Sequence, residues 1–234
     1  MQRRTLKLSC SLLLCLLVTF SFAQKAKKTD SLKVKFYPRS LRAGTDLISL
    51  IKSNTDKTFS GWEANVDVDC GKYYVTFDYG YLTRNYSLPF NGAYQNAGTY
   101  WRLGADINLL KKDPDRNMFF FGIRYGHSSF SESATIVSVD PYFGETKRFL
   151  NNSTVTATWA ELTTGLRVKF FSGFWMGYTA RMKFAPNVKG DTQMTTYDIP
   201  GYGLHGEGIY WGFNYQIFWS IPIVKQKKPM PIAK

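Results

Sequence analysis

Beyond its first two dozen residues the sequence holds a single cysteine, Cys70, and the whole chain has two histidines, His127 and His205. One thiol excludes an internal disulfide framework, and two isolated imidazoles beside it make no metal site. No apolar run after the N-terminus approaches the roughly 18 residues of a membrane-crossing helix. Walker loops, dinucleotide fingerprints and internal repeats are missing too, so no cofactor is expected.

What is present is alternation. Ile209, Trp211, Phe213, Tyr215, Ile217, Trp219 and Ile221 are apolar, while Tyr210, Gly212, Asn214, Gln216, Phe218 and Ser220 between them are mostly small or polar. Successive strand side chains point to opposite faces, so this is one strand with a greasy face and a mixed face. Its length exceeds the usual 5–6 residues or so of soluble strands and suits a tilted bilayer crossing, which needs roughly 9–11.

The N-terminus reads as an export signal over residues 1–23. Arg3, Arg4 and Lys7 precede an apolar stretch from Leu8 to Phe22, and Ser21-Phe22-Ala23 ends in a small-x-small cleavage site. Cleavage there removes Cys10 and Cys15 and leaves about 210 residues, enough for one domain. The net charge of +13 lies largely in two tails, 24–39 and 224–234: Lys25, Lys27, Lys28, Lys33, Lys35 and Arg39, then Lys225, Lys227, Lys228 and Lys234. Export takes these away from cytoplasmic nucleic acid. Anionic lipid head groups, an acidic partner or plain solubilisation are the remaining roles.

Seven further segments repeat the pattern. They are 40–48, 62–69, 73–81, 101–109, 119–126, 159–170 and 174–184. In each the polar face carries glycine or charge and the apolar face carries neither. Long connections (49–60, 83–98, 128–153, 185–207) alternate with short ones (69–72, 111–116, 171–173). The expected fold is all-β: an eight-stranded antiparallel transmembrane β-barrel over 40–223, up-and-down, with short periplasmic turns and long extracellular loops. A lipocalin-like soluble barrel also alternates, but its charged face would be the outer one. Trp62, Trp101, Trp211 and Trp219 are the expected membrane-interface aromatics.

Lumen charges follow from the same alternation. Asp46, Glu63, Asp67, Asp69, Asp78, Asp106 and Glu161 stand against Arg42, Arg102, Arg124, Arg167, Lys169, Arg181 and Lys183. An eight-stranded barrel is just wide enough for side chains to fill. Unpaired charge there is costly, so a salt-bridge network that closes the lumen is expected.

Three short motifs bear on function. Arg124-Tyr125-Gly126-His127-Ser128-Ser129 resembles the Arg-x-x-His-x-Ser spacing of small outer-membrane lipid A deacylases, with Phe130 where that family has asparagine. The resemblance implies His127 as base and Ser129 as nucleophile, with Glu132 or Glu145 as orienting carboxylate. His205, in Gly201-Tyr202-Gly203-Leu204-His205-Gly206, reads as part of a flexible loop. Gly212, Tyr215 and Ile217 fit a barrel-assembly signal, although Pro222 and a basic tail follow.

Phe121-Gly122-Ile123-Arg124-Tyr125-Gly126, Trp159-Ala160-Glu161 with Gly165-Leu166, Ile199-Pro200-Gly201 and Gly212-Phe213-Asn214-Tyr215 ending in Ile221-Pro222 resemble an uncharacterised family of small outer-membrane barrels of Bacteroidota. That resemblance implies location and fold, and no activity. The expected function is therefore a non-enzymatic scaffold or accessory subunit in the outer membrane of a Gram-negative bacterium. Its partners would be outer-membrane lipids, lipopolysaccharide and other envelope proteins, with no nucleic acid. A lipid A-modifying hydrolase is the alternative, and the filled lumen disfavours a pore.

Overall fold

Alternating burial runs along nearly every strand of the protein, seen in a computed structural model that describes residues 37–110, 113, 116–142, 144–206 and 208–223. The expected signal, most of the first basic tail and all of the second lie outside the described residues. The elements are β1 (Ser40–Asp46), α1 (Leu47–Thr55), β2 (Phe59–Asp69), β3 (Tyr73–Leu88), β4 (Gly92–Asn108), β5 (Met118–Asp140), β6 (Gly144–Phe171), β7 (Phe174–Lys189), β8 (Asp198–Ile199), β9 (Gly203–Leu204) and β10 (Tyr210–Pro222).

Eight strands close a barrel in the order β1-β10-β7-β6-β5-β4-β3-β2, and β8 and β9 pair separately. Closure is made by β1, which pairs antiparallel with both β2 and β10. The barrel therefore has no free edge around its girth. The end where β1 starts and β10 finishes is called the terminal end, and the opposite one the loop end. Tight turns at the terminal end place Gly71 at φ 93° and Gly173 at φ 81°, a left-handed conformation that glycine adopts without steric cost.

The polar faces point inward. Arg102 is 2% exposed, whereas Ile123 on the other face is 64% exposed. This inside-out arrangement separates the fold from a soluble barrel, whose greasy side is internal.

Four expected connections differ from the structure. Residues 49–60 mostly form α1 rather than a loop, and Leu47 is its first residue rather than a strand residue. Segments 83–98 and 128–153 are largely strand: β3 and β4 run on to a 3₁₀ turn at Pro89–Asn91, and β5 and β6 continue into a long hairpin. Both faces of these extensions are polar or mixed, so the period-2 contrast fades while the backbone pairing persists. Among the described residues the hairpin's outer part has no third strand beside it, although Gln193 and Met194 bond to Asn151 and Asn152 at its base. β4 pairs with β5 only as far as Thr135, and β7 reaches β6 only from Thr156. A register shift between Phe130 and Glu132 marks where this arm departs.

Segment 190–206, which holds the expected flexible loop 201–206, is ordered by packing and hydrogen bonds. It folds back over the barrel mouth, with Ile199 and Tyr202 buried and His205 Nδ1 3.1 Å from the Thr196 carbonyl. Ile199 and Tyr202 join Tyr100, Phe130, Val155, Ala157 and Trp159 in one apolar cluster at the loop end.

Asp46 joins β1 to α1. Its Oδ2 accepts from Ser49 N (3.1 Å) and Ser49 Oγ (2.6 Å), and its Oδ1 accepts from Tyr215 N (3.0 Å). Loss of a helix cap costs about 0.5–2 kcal/mol. Asp46→Ala is thus expected to speed protease cleavage between residues 47 and 58, with Asp46→Asn close to wild type; equal cleavage in all three would show that α1 does not depend on this cap.

Candidate functional site

Two clusters of charge fill the barrel interior. Towards the terminal end, Asp67 accepts from Arg42 Nε at 2.6 Å and Arg167 Nη1 at 2.5 Å, and Asp106 meets Arg124 at 2.7 Å and Arg167 at 3.7 Å. Towards the loop end, Arg102 bonds Glu63 and lies 3.3 Å from Asp78 and 3.8 Å from Glu161. Arg181 meets Asp78 and Glu161 at 3.0 Å each, and its Nε donates to Asn214 at 2.6 Å. The Arg167–Asp67 and Arg181–Asp78 pairs cross the lumen, because β6 and β7 stand opposite β2 and β3 in the strand order. Planar guanidinium forks suit such shared carboxylate sites better than lysine does.

Apolar groups close the network at both ends. Arg42 lies over the rings of Tyr74 (4.7 Å) and Trp175 (5.0 Å), and Arg167 over Phe120 (5.0 Å) and Phe218 (4.8 Å). At the loop end Trp159 Nε1 donates to Glu161 at 2.7 Å and Tyr100 Oη to Glu63 at 2.7 Å.

Four of the expected lumen charges sit elsewhere in the scheme. Asp46 is internal but caps α1. Lys183 is internal but donates to the Gly201 and Tyr202 carbonyls, 2.8 Å each, instead of to a carboxylate. Asp69 accepts from Gly71 N at 2.6 Å in the terminal-end turn. Lys169 is exposed, because β6 has left the interior by that point.

The expected His–Ser pair is on the other side of the wall. His127 and Ser129 face outward on β5, and the imidazole lies 5.5 Å from the Trp101 ring. Neither suggested orienting carboxylate accompanies them. Glu132 faces inward, where it accepts from Tyr94 (2.6 Å), Asn152 (2.8 Å) and Thr196 (2.9 Å). Glu145 is at the hairpin arm and pairs with Lys147. Among the described residues no group of three or more His, Cys, Asp or Glu side chains is placed to hold a metal. Trp62, Trp211 and Trp219 are exposed on the outer wall, and Trp101 is half-buried there.

The Glu132 cluster was not foreseen. Burial and the Glu132 carboxylate push the Tyr94 hydroxyl well above the usual phenol range, so it stays a donor. Burial likewise raises the Asp198 carboxyl, against the pull of Arg84. Tyr94 and Asn96 tie the 196–198 segment to the hairpins through Asp198 N and O.

The model of DUF6048, a domain of unknown function, matches residues 5–226. The chain belongs to the DUF6048 family. No curated protein matches its sequence. Among solved structures, the crystal structure of Acinetobacter baumannii CarO is similar at 8% identity and a TM-score of 0.38, covering 80% of this chain and 98% of that one. That likeness is too slight to carry an argument. What the DUF6048 chain can do is read from its own geometry: an ion-paired interior, an apolar outer wall, and two ends with different equipment.

Proposed function

We propose that the protein is a solute-tight, non-enzymatic barrel of the outer membrane that acts as a scaffold or accessory subunit through its loop end. The observation that carries this reading is the interior filled by interlocked ion pairs and covered at both ends by buried aromatic side chains. A filled lumen leaves no aqueous path, so the working surfaces are the ends and the wall. The wall exposes Phe77, Leu103, Phe121, Ile123, Tyr125, Leu166, Val168, Phe213 and Trp219. Such an apolar belt belongs in lipid, since each Å² withdrawn from water is worth about 25 cal/mol. Outer-membrane lipid and lipopolysaccharide surround it, and the tryptophans mark the interfaces.

The β5–β6 arm is the part suited to an envelope protein. Ile136, Val139, Tyr142 and Phe149 are exposed on it, and among the described residues no further strand pairs with β5 beyond Thr135 or with β6 before Asn151. Such edges accept a further strand. Affinity purification of the full chain from solubilised envelopes tests this, with a variant in which 137–148 is replaced by a two-residue turn. Envelope proteins are expected with the wild type and lost with the shortened arm. The purified barrel is also expected to give no conductance steps in planar bilayers. Stable ohmic steps, or no dependence of co-purification on the arm, would contradict the reading.

The outward placement of His127 and Ser129, where acyl chains would lie, favours the hydrolase as the second reading. Replacing both with alanine is expected to leave lipid A acylation unchanged by mass spectrometry. A change in acylation with unaltered partners would put the hydrolase in place of the scaffold.

A further inference from the structure

Between α1, the start of β10 and the β8–β9 hairpin the barrel mouth holds a cavity of about 370 Å³, within the roughly 300–1,000 Å³ usual for small-molecule sites. We propose that this cavity binds a small organic oxyanion, a carboxylate or phosphate carried on an apolar or aromatic body. Its binding does not depend on the scaffold role.

The argument starts from Lys183, which lines the cavity and is 7% exposed. Its ammonium has three donors. Two are taken by the Gly201 and Tyr202 carbonyls. Among the described residues no carboxylate comes within ion-pairing distance, and the third N–H has no hydrogen-bond acceptor, only the face of Tyr210 at 5.6 Å from Nζ to the ring centroid. A second cation lines the same space: Arg84, whose Nε is 3.5 Å from Asp198 and whose Nη1 donates to Tyr86 at 2.5 Å, adds positive charge but no free donor. Lys52 adds a third cation at the rim, 5.1 Å from the Phe59 ring centroid.

The acids of the wall are already engaged. Asp46 takes the α1 cap and Tyr215 N, Glu63 accepts from Asn65, Tyr100 and Arg102, and Asp198 accepts from Tyr86 at 3.0 Å beside Arg84. The free hydrogen-bonding capacity is thus donor capacity on cations, which an oxyanion satisfies. A buried ammonium with an unfilled donor is costly, so the site gains from such a ligand. The body of the ligand is set by Tyr202 and Tyr210, whose rings lie 5.9 Å apart at 30°. Gly212 keeps the space open: a Cβ there would come 3.0 Å from Lys183 Cε and 3.1 Å from Nζ.

Isothermal titration of the full chain in a neutral maltoside detergent tests the site, with benzoate, phenyl phosphate, dodecyl phosphate and inorganic phosphate as probes. Saturable one-site binding of benzoate or phenyl phosphate supports a soluble ligand, and binding of dodecyl phosphate alone supports a lipid-borne one. In either case inorganic phosphate should bind at least tenfold more weakly. Lys183→Met and Gly212→Leu should each weaken binding at least tenfold. Gly212→Leu fills the cavity beside Lys183, and a folded, heat-modifiable gel band for both variants at the titration temperature separates loss of the site from loss of fold. No binding of any organic probe, or equal affinity in wild type and Gly212→Leu, would overturn the proposal.

Discussion

Replacing Arg102 with alanine is expected to lower the heat-unfolding midpoint of the barrel sharply. Arg102 is 2% exposed and is shared by Glu63, Asp78 and Glu161. Without it, three buried carboxylates have only Arg181 within ion-pairing distance among the described residues. Removing one partner of a buried pair typically costs about 3–5 kcal/mol, because the other charge stays behind desolvated. The readout is the temperature at which the folded, fast-migrating band on a gel converts to the unfolded one. Lys147→Ala is the control. Its pair with Glu145 is 69% and 53% exposed, and such pairs are worth about 0–1 kcal/mol. Adding Glu63→Gln to Arg102→Ala should recover part of the loss by removing a stranded charge. Equal midpoints for Arg102→Ala and Lys147→Ala would mean that the interior is wet and open.

Gly126→Leu is expected to stop the barrel from reaching its folded band at all. A Cβ at this inward position would come within 2.2–2.6 Å of Cε2, Cζ2 and Nε1 of Trp159. The indole has nowhere to retreat. It is 2% exposed, donates to Glu161 at 2.7 Å and meets the Tyr202 ring edge-on at 5.8 Å. Overpacking a close-packed interior costs about 1–3 kcal/mol for extra methylenes alone, and here it also displaces the mouth plug and a network hydrogen bond. Gly126→Ala with Trp159→Ala should regain the folded band, since the clash has a single partner side chain. Leu at Gly126 with a wild-type midpoint would place Trp159 elsewhere.

The sequence made the inward and outward sets legible where lipid-type and lumen-type residues alternate. Arg102, Asp78 and Ile123 could be assigned to faces by counting in twos. Which arginine meets which acid could not be read that way, because contacts such as Arg167 with Asp67 depend on how the sheet closes. Asp46 shows another limit: alternation placed it inside but could not show that the strand ends there and that its carboxylate caps α1. Ile199 and Tyr202 were out of reach because a plug of two short strands carries no periodicity. The Ile199-Pro200-Gly201 motif was the one available signal. In the sequence Glu132 stands out only as a companion for His127. The alternation that puts His127 and Ser129 on one face puts Glu132 on the opposite one, and that parity argument was available from the residues alone.

Cysteine labelling on intact cells tests most directly whether the sealed barrel sits in the outer membrane with its loop end outside. Tyr142 is 93% exposed on the hairpin arm, and Ser172 is exposed in the β6–β7 turn at the terminal end. The native Cys70 is buried, and burial pushes its thiol pKa up, so it contributes little background even before replacement by serine. With a membrane-impermeant maleimide, Tyr142→Cys should label on intact cells, and Ser172→Cys only after the outer membrane is permeabilised. Labelling of Ser172→Cys from outside, or of neither site until the cells are opened, would contradict the account.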